Sequence, residues 1–192
     1  MTPEPPWLLL DVGNTAIKWR LTHAECLLRP GGAVSDADAL LRVVEDQPWL
    51  AVGISSVAGE RVHHAVIEAL DFRQAAPVRV AVSESSSMGV RNSYAVPEEM
   101  GVDRWLAMLA AHCLHDGPIC VIDAGTAITL DLLAADGKHL GGYILPGADL
   151  MCRALTSATG RIKTALVGRP KVAPGKSTEH CVSAGVWQSV LG

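Results

Sequence analysis

Trp7-Leu-Leu-Leu-Asp-Val-Gly-Asn-Thr-Ala-Ile-Lys-Trp-Arg-Leu21 decides the fold. An apolar run ends at Asp11 and Val12. Gly13, Asn14 and Thr15 follow as a turn, because glycine tolerates positive φ and asparagine comes next. From Ala16 the chain returns in strict alternation. Ile17, Trp19 and Leu21 share one face and Lys18 and Arg20 the other, the two-residue period of a half-buried strand. The same construction recurs at Ile119-Cys-Val-Ile-Asp-Ala-Gly-Thr-Ala-Ile-Thr-Leu-Asp131, with one residue fewer before the threonine. Two acidic, glycine-bearing hairpins suit a cleft that holds phosphates and a cation, and they point to phosphoryl transfer.

Working outward from the first hairpin, a third strand is expected over Glu25 to Arg29, closed by Pro30-Gly31-Gly32. Ser35 is placed to cap a helix running to about Glu45. A strand from Leu50 to Val57, a helix from Glu60 to Leu70 and a strand from Val78 to Val82 follow. Ser83 to Pro97 is polar and reads as a loop. The next helix, from about Glu98 to His115, carries Met100, Trp105, Leu106, Leu109 and Cys113 as an apolar stripe. The second hairpin then restarts the pattern, with strands at 119–123, 127–133 and 140–145. Asp136-Gly137 reads as a turn of the primed type, and Gly141-Gly142 as a bend or close approach. Helices are expected at 148–157 and from Ser177 or Thr178 to Leu191, with a partly loop-like stretch from Arg161 to Gly175. The class is α/β. The expected domains are 1–116 and 117–192, of which the latter is expected to be incomplete.

Composition removes several alternatives. The net charge of −4, with no basic run, disfavours a nucleic-acid partner. Five cysteines without a CxxC pair imply neither a zinc site nor a disulfide scaffold. They read as buried thiols in a reducing cytoplasm. No apolar stretch is long enough for a membrane helix, and no secretory leader is apparent.

Three constellations carry chemistry. Asp11, at a strand end, can hold Mg²⁺ against nucleotide phosphates. Gly13, Asn14 and Thr15 offer donors in a nest-like turn, and Lys18 can reach the same phosphates. An ordinary hairpin explains one such turn, but the repeat at Asp123, Gly125 and Thr126 makes that reading harder to sustain. Gly101-Val102-Asp103-Arg104 is the third. Asp103 near a helix start can serve as a base for a hydroxyl attacking a phosphate, and Arg104 can pair with a carboxylate. Spacing alone still favours a plain helix-end charge and a surface arginine there. His63 and His64 read as solvated, and Arg91 and Asn92 have no clear role. Gly175-Lys176-Ser177 lacks the earlier glycine of a P-loop, with Pro170 in its place.

Taken together, Asp11 to Lys18, Ile54-Ser-Ser-Val57, Tyr94 with Pro97, Gly101 to Arg104, Asp123 to Ala127, Gly141 to Gly147 and Ser177-Thr178 resemble the type III pantothenate kinases, a family that includes Bvg accessory factors. The resemblance spans nearly the whole chain. It implies two ribonuclease H-like halves of the actin, heat-shock 70 and sugar kinase type. It implies phosphorylation of pantothenate by ATP, the first step towards coenzyme A, by a cytoplasmic homodimer using Mg²⁺ and potassium or ammonium. By matching positions, Asp11, Val12, Gly13, Asn14, Thr15, Ala16, Ile17 and Lys18 would bind ATP, with Thr126 also contacting it. Asp103 would accept the proton. Tyr94, Gly101, Val102, Asp103, Arg104 and Thr178 would bind pantothenate, Thr178 from its own or the partner subunit, and Asp123 would hold the monovalent cation. Family members continue past the Thr178 helix, so a chain ending at Gly192 is expected to be truncated. A non-catalytic regulator on the same fold, or a phosphotransferase or phosphatase for another substrate, are the competing expectations.

Overall fold

Alternation at the N-terminus builds the first sheet. The computed structural model describes residues 6–22, 31–71, 76–159 and 173–191. The chain divides into two compact units, Met1–Leu114 and His115–Gly192.

In the first unit β1 (Trp7–Val12), β2 (Ile17–Thr22) and β3 (Gly31–Val34) form an antiparallel meander. After α1 (Ala37–Val43), β4 (Ala51–Ser56) pairs parallel to β1. After α2 (Glu60–Asp71), β5 (Val78–Val80) pairs parallel to β4. The sheet order is β3-β2-β1-β4-β5. The register Leu8↔Leu21, Leu10↔Trp19, Val12↔Ile17 puts the apolar partners on one face. There they meet Leu40 and Val44 of the α1 region and Val66 and Leu70 of α2 in a single buried cluster. Asp11↔Lys18 and Leu9↔Arg20 pair on the other face.

Several expected boundaries move. The strand expected at Glu25 to Arg29 lies outside the described residues, and Gly31 and Gly32, expected to close it, are themselves β3. The cap of α1 is Asp36 rather than Ser35. Its Oδ1 accepts from the Ala39 N–H at 2.8 Å, and the Ser35 hydroxyl donates to Oδ2 at 2.6 Å. An aspartate offers one oxygen to the helix and one to its neighbour, which a serine cannot do. The expected loop from Ser83 contains a short hairpin, β6 (Ser86–Ser87) and β7 (Val90–Arg91). A 3₁₀ turn at Pro97–Glu99 leads to α3 (Val102–Leu114). The α3 stripe is corrected too: Trp105, Met108 and Leu109 are buried, whereas Leu106 and Cys113 are exposed. At 100° per residue, position 106 lies a quarter-turn off the axis through Trp105.

The second unit opens with another antiparallel meander, β8 (Ile119–Ala124), β9 (Ala127–Leu133) and β10 (His139–Pro146), in the order β10-β9-β8. The Asp136-Gly137 turn is not primed. Gly137 has φ +78, but Asp136 is not among the positive-φ residues. Ala134 N donates to the Lys138 carbonyl at 2.9 Å, closing a three-residue loop with glycine in the left-handed position. Gly141, with φ +116, sits at a register shift in β10, the bend expected there. Helices α4 (Ala148–Ala158) and α5 (Thr178–Leu191) follow. Much of the stretch from Arg161 to Gly175 lies outside the described residues. The Ser177 hydroxyl accepts from the His180 N–H at 3.3 Å, which makes Ser177 the cap of α5.

Of the described cysteines only Cys152 is buried; Cys113, Cys120 and Cys181 are exposed in this chain, against the expectation of buried thiols. Among the described residues no helix is long and apolar enough to cross a membrane.

Candidate active site

Strand ends bring the first group together. Asp11 and Ser55 are partners on the parallel pair β1 and β4, as are Val12 and Ser56, at the carboxyl ends of both strands. Ligands of α/β sheets gather at such ends. The turn is closed by Gly13 N donating to the Ala16 carbonyl at 3.1 Å, leaving Asn14 and Thr15 at its exposed tip. Lys18 Nζ stands 3.5 Å from Asp11 Oδ2 across the hairpin, with both side chains substantially exposed. An exposed pair of this kind contributes little to stability, so both groups can be drawn to a ligand at small cost. The hydroxyl of Ser55, on the same face as Asp11, is buried without a hydrogen-bond partner, as is that of Ser56 on the opposite face beside Val12, which is costly unless something polar arrives. A groove of about 860 Å³ runs over this part of the unit, lined among others by Asp11, Lys18, Gly53, Ser55, Arg79 and Leu106.

The second group is carried by the loop before α3 and by its first turn. Arg104 is only 7% exposed, which overturns the surface-arginine reading. Its guanidinium donates to Tyr94 Oη at 3.0 Å and lies 5.8 Å from the tyrosine ring centre. Asp103 Oδ1 accepts from the Arg104 N–H at 2.8 Å, one of the amides a helix start leaves free. A Cβ on Gly101 would stand 2.6 Å from that same oxygen, so glycine is what lets the carboxylate fold back. Tyr94, Gly101, Asp103 and Arg104 thus lie together, and Val102 among them is buried.

In the second unit Asp123 pairs with Thr129 across the β8–β9 hairpin, and Gly125 N donates to the Ala127 carbonyl at 2.9 Å. The turn lies against the start of α4, where Gly147 N donates to the Thr126 carbonyl at 2.9 Å. A Cβ on Gly147 would run into the carbonyls of Gly125 and Thr126. A threonine hydroxyl beside a helix N-terminus is a reasonable anion-binding pair. Thr178 is exposed at the first position of α5.

Among the described residues no three His, Cys, Asp or Glu side chains converge on a point. Single carboxylates such as Asp11 and Asp123, outside any such group, fit a hard cation that takes its other oxygens from phosphate, water or backbone. They do not fit a transition-metal centre.

Sequence reasoning passed over Asn92, Ser83 and the pair of His139 and Asp131. Asn92 could have been found as an Asx turn, since its carboxamide accepts from an N–H two residues on. His139 Nε2 lies 3.1 Å from Asp131 Oδ1, with both side chains essentially inaccessible. Nothing in the spacing across a turn announces that pair.

The sequence profile of the type III pantothenate kinases matches residues 7–192. The chain belongs to that family. A type III pantothenate kinase of Halorhodospira halophila is 37% identical over 194 residues, covering 93% of this chain and 74% of the relative. One from Pseudomonas aeruginosa is 40% identical over 187 residues, covering 93% and 75%. Among solved structures, a Campylobacter jejuni protein described as a putative Baf family transcriptional activator superposes with a TM-score of 0.56 at 20% identity, covering 96% of this chain and 75% of that one. At that identity the likeness speaks for the fold alone. As a type III pantothenate kinase by family, the chain is an enzyme of the kinase class.

Proposed function

We propose that this chain transfers the γ-phosphoryl group of ATP to the 4′-hydroxyl of pantothenate, giving 4′-phosphopantothenate and ADP on the way to coenzyme A. The carrying observation is the cluster in which a buried Arg104, bonded to Tyr94, adjoins the half-buried Asp103. Pantothenate carries one carboxylate and a primary hydroxyl. Arg104 and Tyr94 supply a cation and a hydroxyl donor suited to the carboxylate end. Val102 and Gly101 shape the wall, and Thr178 adds a contact from its own or the partner subunit.

The hydroxyl oxygen attacks phosphorus as the bond to the ADP oxygen breaks, and the hydroxyl proton passes to the Asp103 carboxylate. In a loose phosphoryl transfer that proton is lost late, so a carboxylate can serve as its acceptor. The backbone from Asp11 to Lys18 and the Thr126 hydroxyl hold the phosphates of ATP, with Lys18 swinging from Asp11 to phosphate oxygen. Asp11 would hold Mg²⁺ through the phosphates, and Asp123 would hold a potassium or ammonium ion. The ions would supply neutralisation of charge on the phosphoryl oxygens. In this reading the two units are ribonuclease H-like halves of the actin, heat-shock 70 and sugar kinase type. The enzyme is a cytoplasmic homodimer.

The test is formation of phosphopantothenate and ADP by the purified protein with ATP, Mg²⁺ and potassium. Turnover on pantothenate, lost without potassium and restored by ammonium, supports the reading. A folded protein with no turnover, or one that favours another alcohol, refutes it. A regulatory role without catalysis predicts no turnover, and a carboxylate placed like Asp103 gives no reason for it.

A further inference from the structure

We propose that Asn92 is a positioning residue for the substrate pocket, setting Tyr94 and through it Arg104. The inference rests on the pantothenate kinase reading and extends it to a residue with no assigned part. Three groups of Asn92 are engaged at once. Its backbone N–H donates to the Ser85 carbonyl at 2.9 Å, its Nδ2 donates to the Glu84 carbonyl at 3.2 Å, and its Oδ1 accepts from the Tyr94 N–H at 3.0 Å. Tyr94 Oη in turn receives the Arg104 guanidinium at 3.0 Å. A short side chain that both donates and accepts at this reach is an asparagine amide and little else.

The surroundings explain why one side chain matters. The segment from Ser83 to Met100 has little repetitive structure to hold it. At one end the buried Ser83 hydroxyl donates to the Met100 carbonyl at 2.8 Å, next to Gly101. In the middle, β6 and β7 turn through Met88 and Gly89 with φ of +48 and +87. A Cβ on Gly89 would stand 3.1 Å from His112 Nε2, so this hairpin sits directly on α3. Asn92 is the link between that seated hairpin and the tyrosine. Without it, the Tyr94 N–H loses its bond to the carboxamide, and the Tyr94 Oη that receives the Arg104 guanidinium is less firmly placed.

The test compares the whole protein with Asn92→Ala, Asn92→Asp, Tyr94→Phe and the double variant Asn92→Ala/Tyr94→Phe, with melting temperatures alongside. Wild-type turnover on pantothenate is measured first; its absence sinks the kinase reading and this inference with it. Given turnover, Asn92→Ala is expected to raise KM for pantothenate about tenfold, with kcat and the KM for ATP within about threefold of wild type. Asn92→Asp keeps the acceptor for the Tyr94 N–H and should recover part of that loss. In the Tyr94→Phe background the alanine should add little, because both act through one tyrosine hydroxyl. An unmoved pantothenate KM in folded Asn92→Ala, effects that multiply in the double variant, or an aspartate no better than alanine would overturn the inference while leaving the kinase reading intact.

Discussion

Asp103→Asn exchanges one carboxylate oxygen for an amide nitrogen and removes a negative charge, and the structure fixes what each change does. Oδ1 of the wild-type side chain accepts from the Arg104 N–H at 2.8 Å. An asparagine carbonyl oxygen can make the same bond, so the helix start stays capped. What is lost in the folded state is the attraction of a carboxylate for the N-terminus of α3, worth about 0.3–1 kcal/mol. The melting temperature should therefore fall by only a few degrees. The loss in the transition state is of a different size. An amide cannot take the hydroxyl proton, and removing a general base typically costs about 10²–10⁴ in rate, or roughly 3–5 kcal/mol of barrier. A coupled assay for ADP release at saturating pantothenate and ATP reads kcat directly. The expected pattern is a kcat lowered at least a hundredfold, with melting nearly unchanged and pantothenate KM within a few-fold. A variant that keeps more than a tenth of wild-type kcat would refute the role of Asp103 as proton acceptor. A loss that tracks an equally large fall in stability would refute the argument that Oδ1 bonding survives.

Other perturbations separate packing from chemistry. Gly147→Ala would push a methyl group into the Gly125 and Thr126 carbonyls, displacing the second hairpin turn, so KM for ATP should rise at least severalfold while pantothenate KM stays put; initial-rate kinetics with each substrate varied will check it. His139→Ala removes a partner that lies 3.1 Å from the buried Asp131, and denaturant melts should show a loss of about 1–3 kcal/mol, with Asp131→Asn losing less because an amide still bonds to the imidazole. The Ser35 hydroxyl, then the Ala39 N–H, hold the Asp36 carboxyl below its ordinary 3.8. Because its folded value is depressed, the capping contribution is complete above the unfolded value and is lost as pH falls on through the lower folded value. The stability gap between wild type and Asp36→Ala should therefore shrink between pH 5 and pH 3, measured by urea unfolding at each pH.

How much of this was legible in the sequence depended on the period of the pattern. The two-residue alternation of Ile17, Trp19 and Leu21 against Lys18 and Arg20 assigned faces correctly, because slipping the register by one would invert every side chain. Both hairpins and their one-residue difference were visible for the same reason. Helix α3 was legible as a helix but not as a face. Leu106 and Cys113 are apolar, yet they sit around the cylinder from Trp105 and stay exposed, and with apolar residues on several sides the pattern does not choose. Asp36 displaced Ser35 as the cap because two adjacent cap-forming residues compete, and only geometry shows which one turns its oxygen to the Ala39 N–H.

The least legible part of the chain, Ser83 to Gly101, holds the residues on which substrate choice should depend, and the reason is physical. A loop that must present Tyr94 and release the backbone into α3 has no periodic apolar face, so its shape is set by single hydrogen bonds: Ser83 to Met100, Asn92 to Glu84, Tyr94 to Asn92. Each such bond contributes about 1 kcal/mol net, too little to impose a composition but enough to fix one conformation when several act together. The carboxylate proposed as the base, Asp103, is placed instead in the first turn of α3, a helix legible in the sequence although its start falls at Val102 rather than near Glu98. In this reading the chemistry is anchored on regular structure and the specificity on isolated polar contacts. Substitutions at Ser83 or Asn92 should therefore change which alcohol is accepted more readily than they change how fast a bound one reacts.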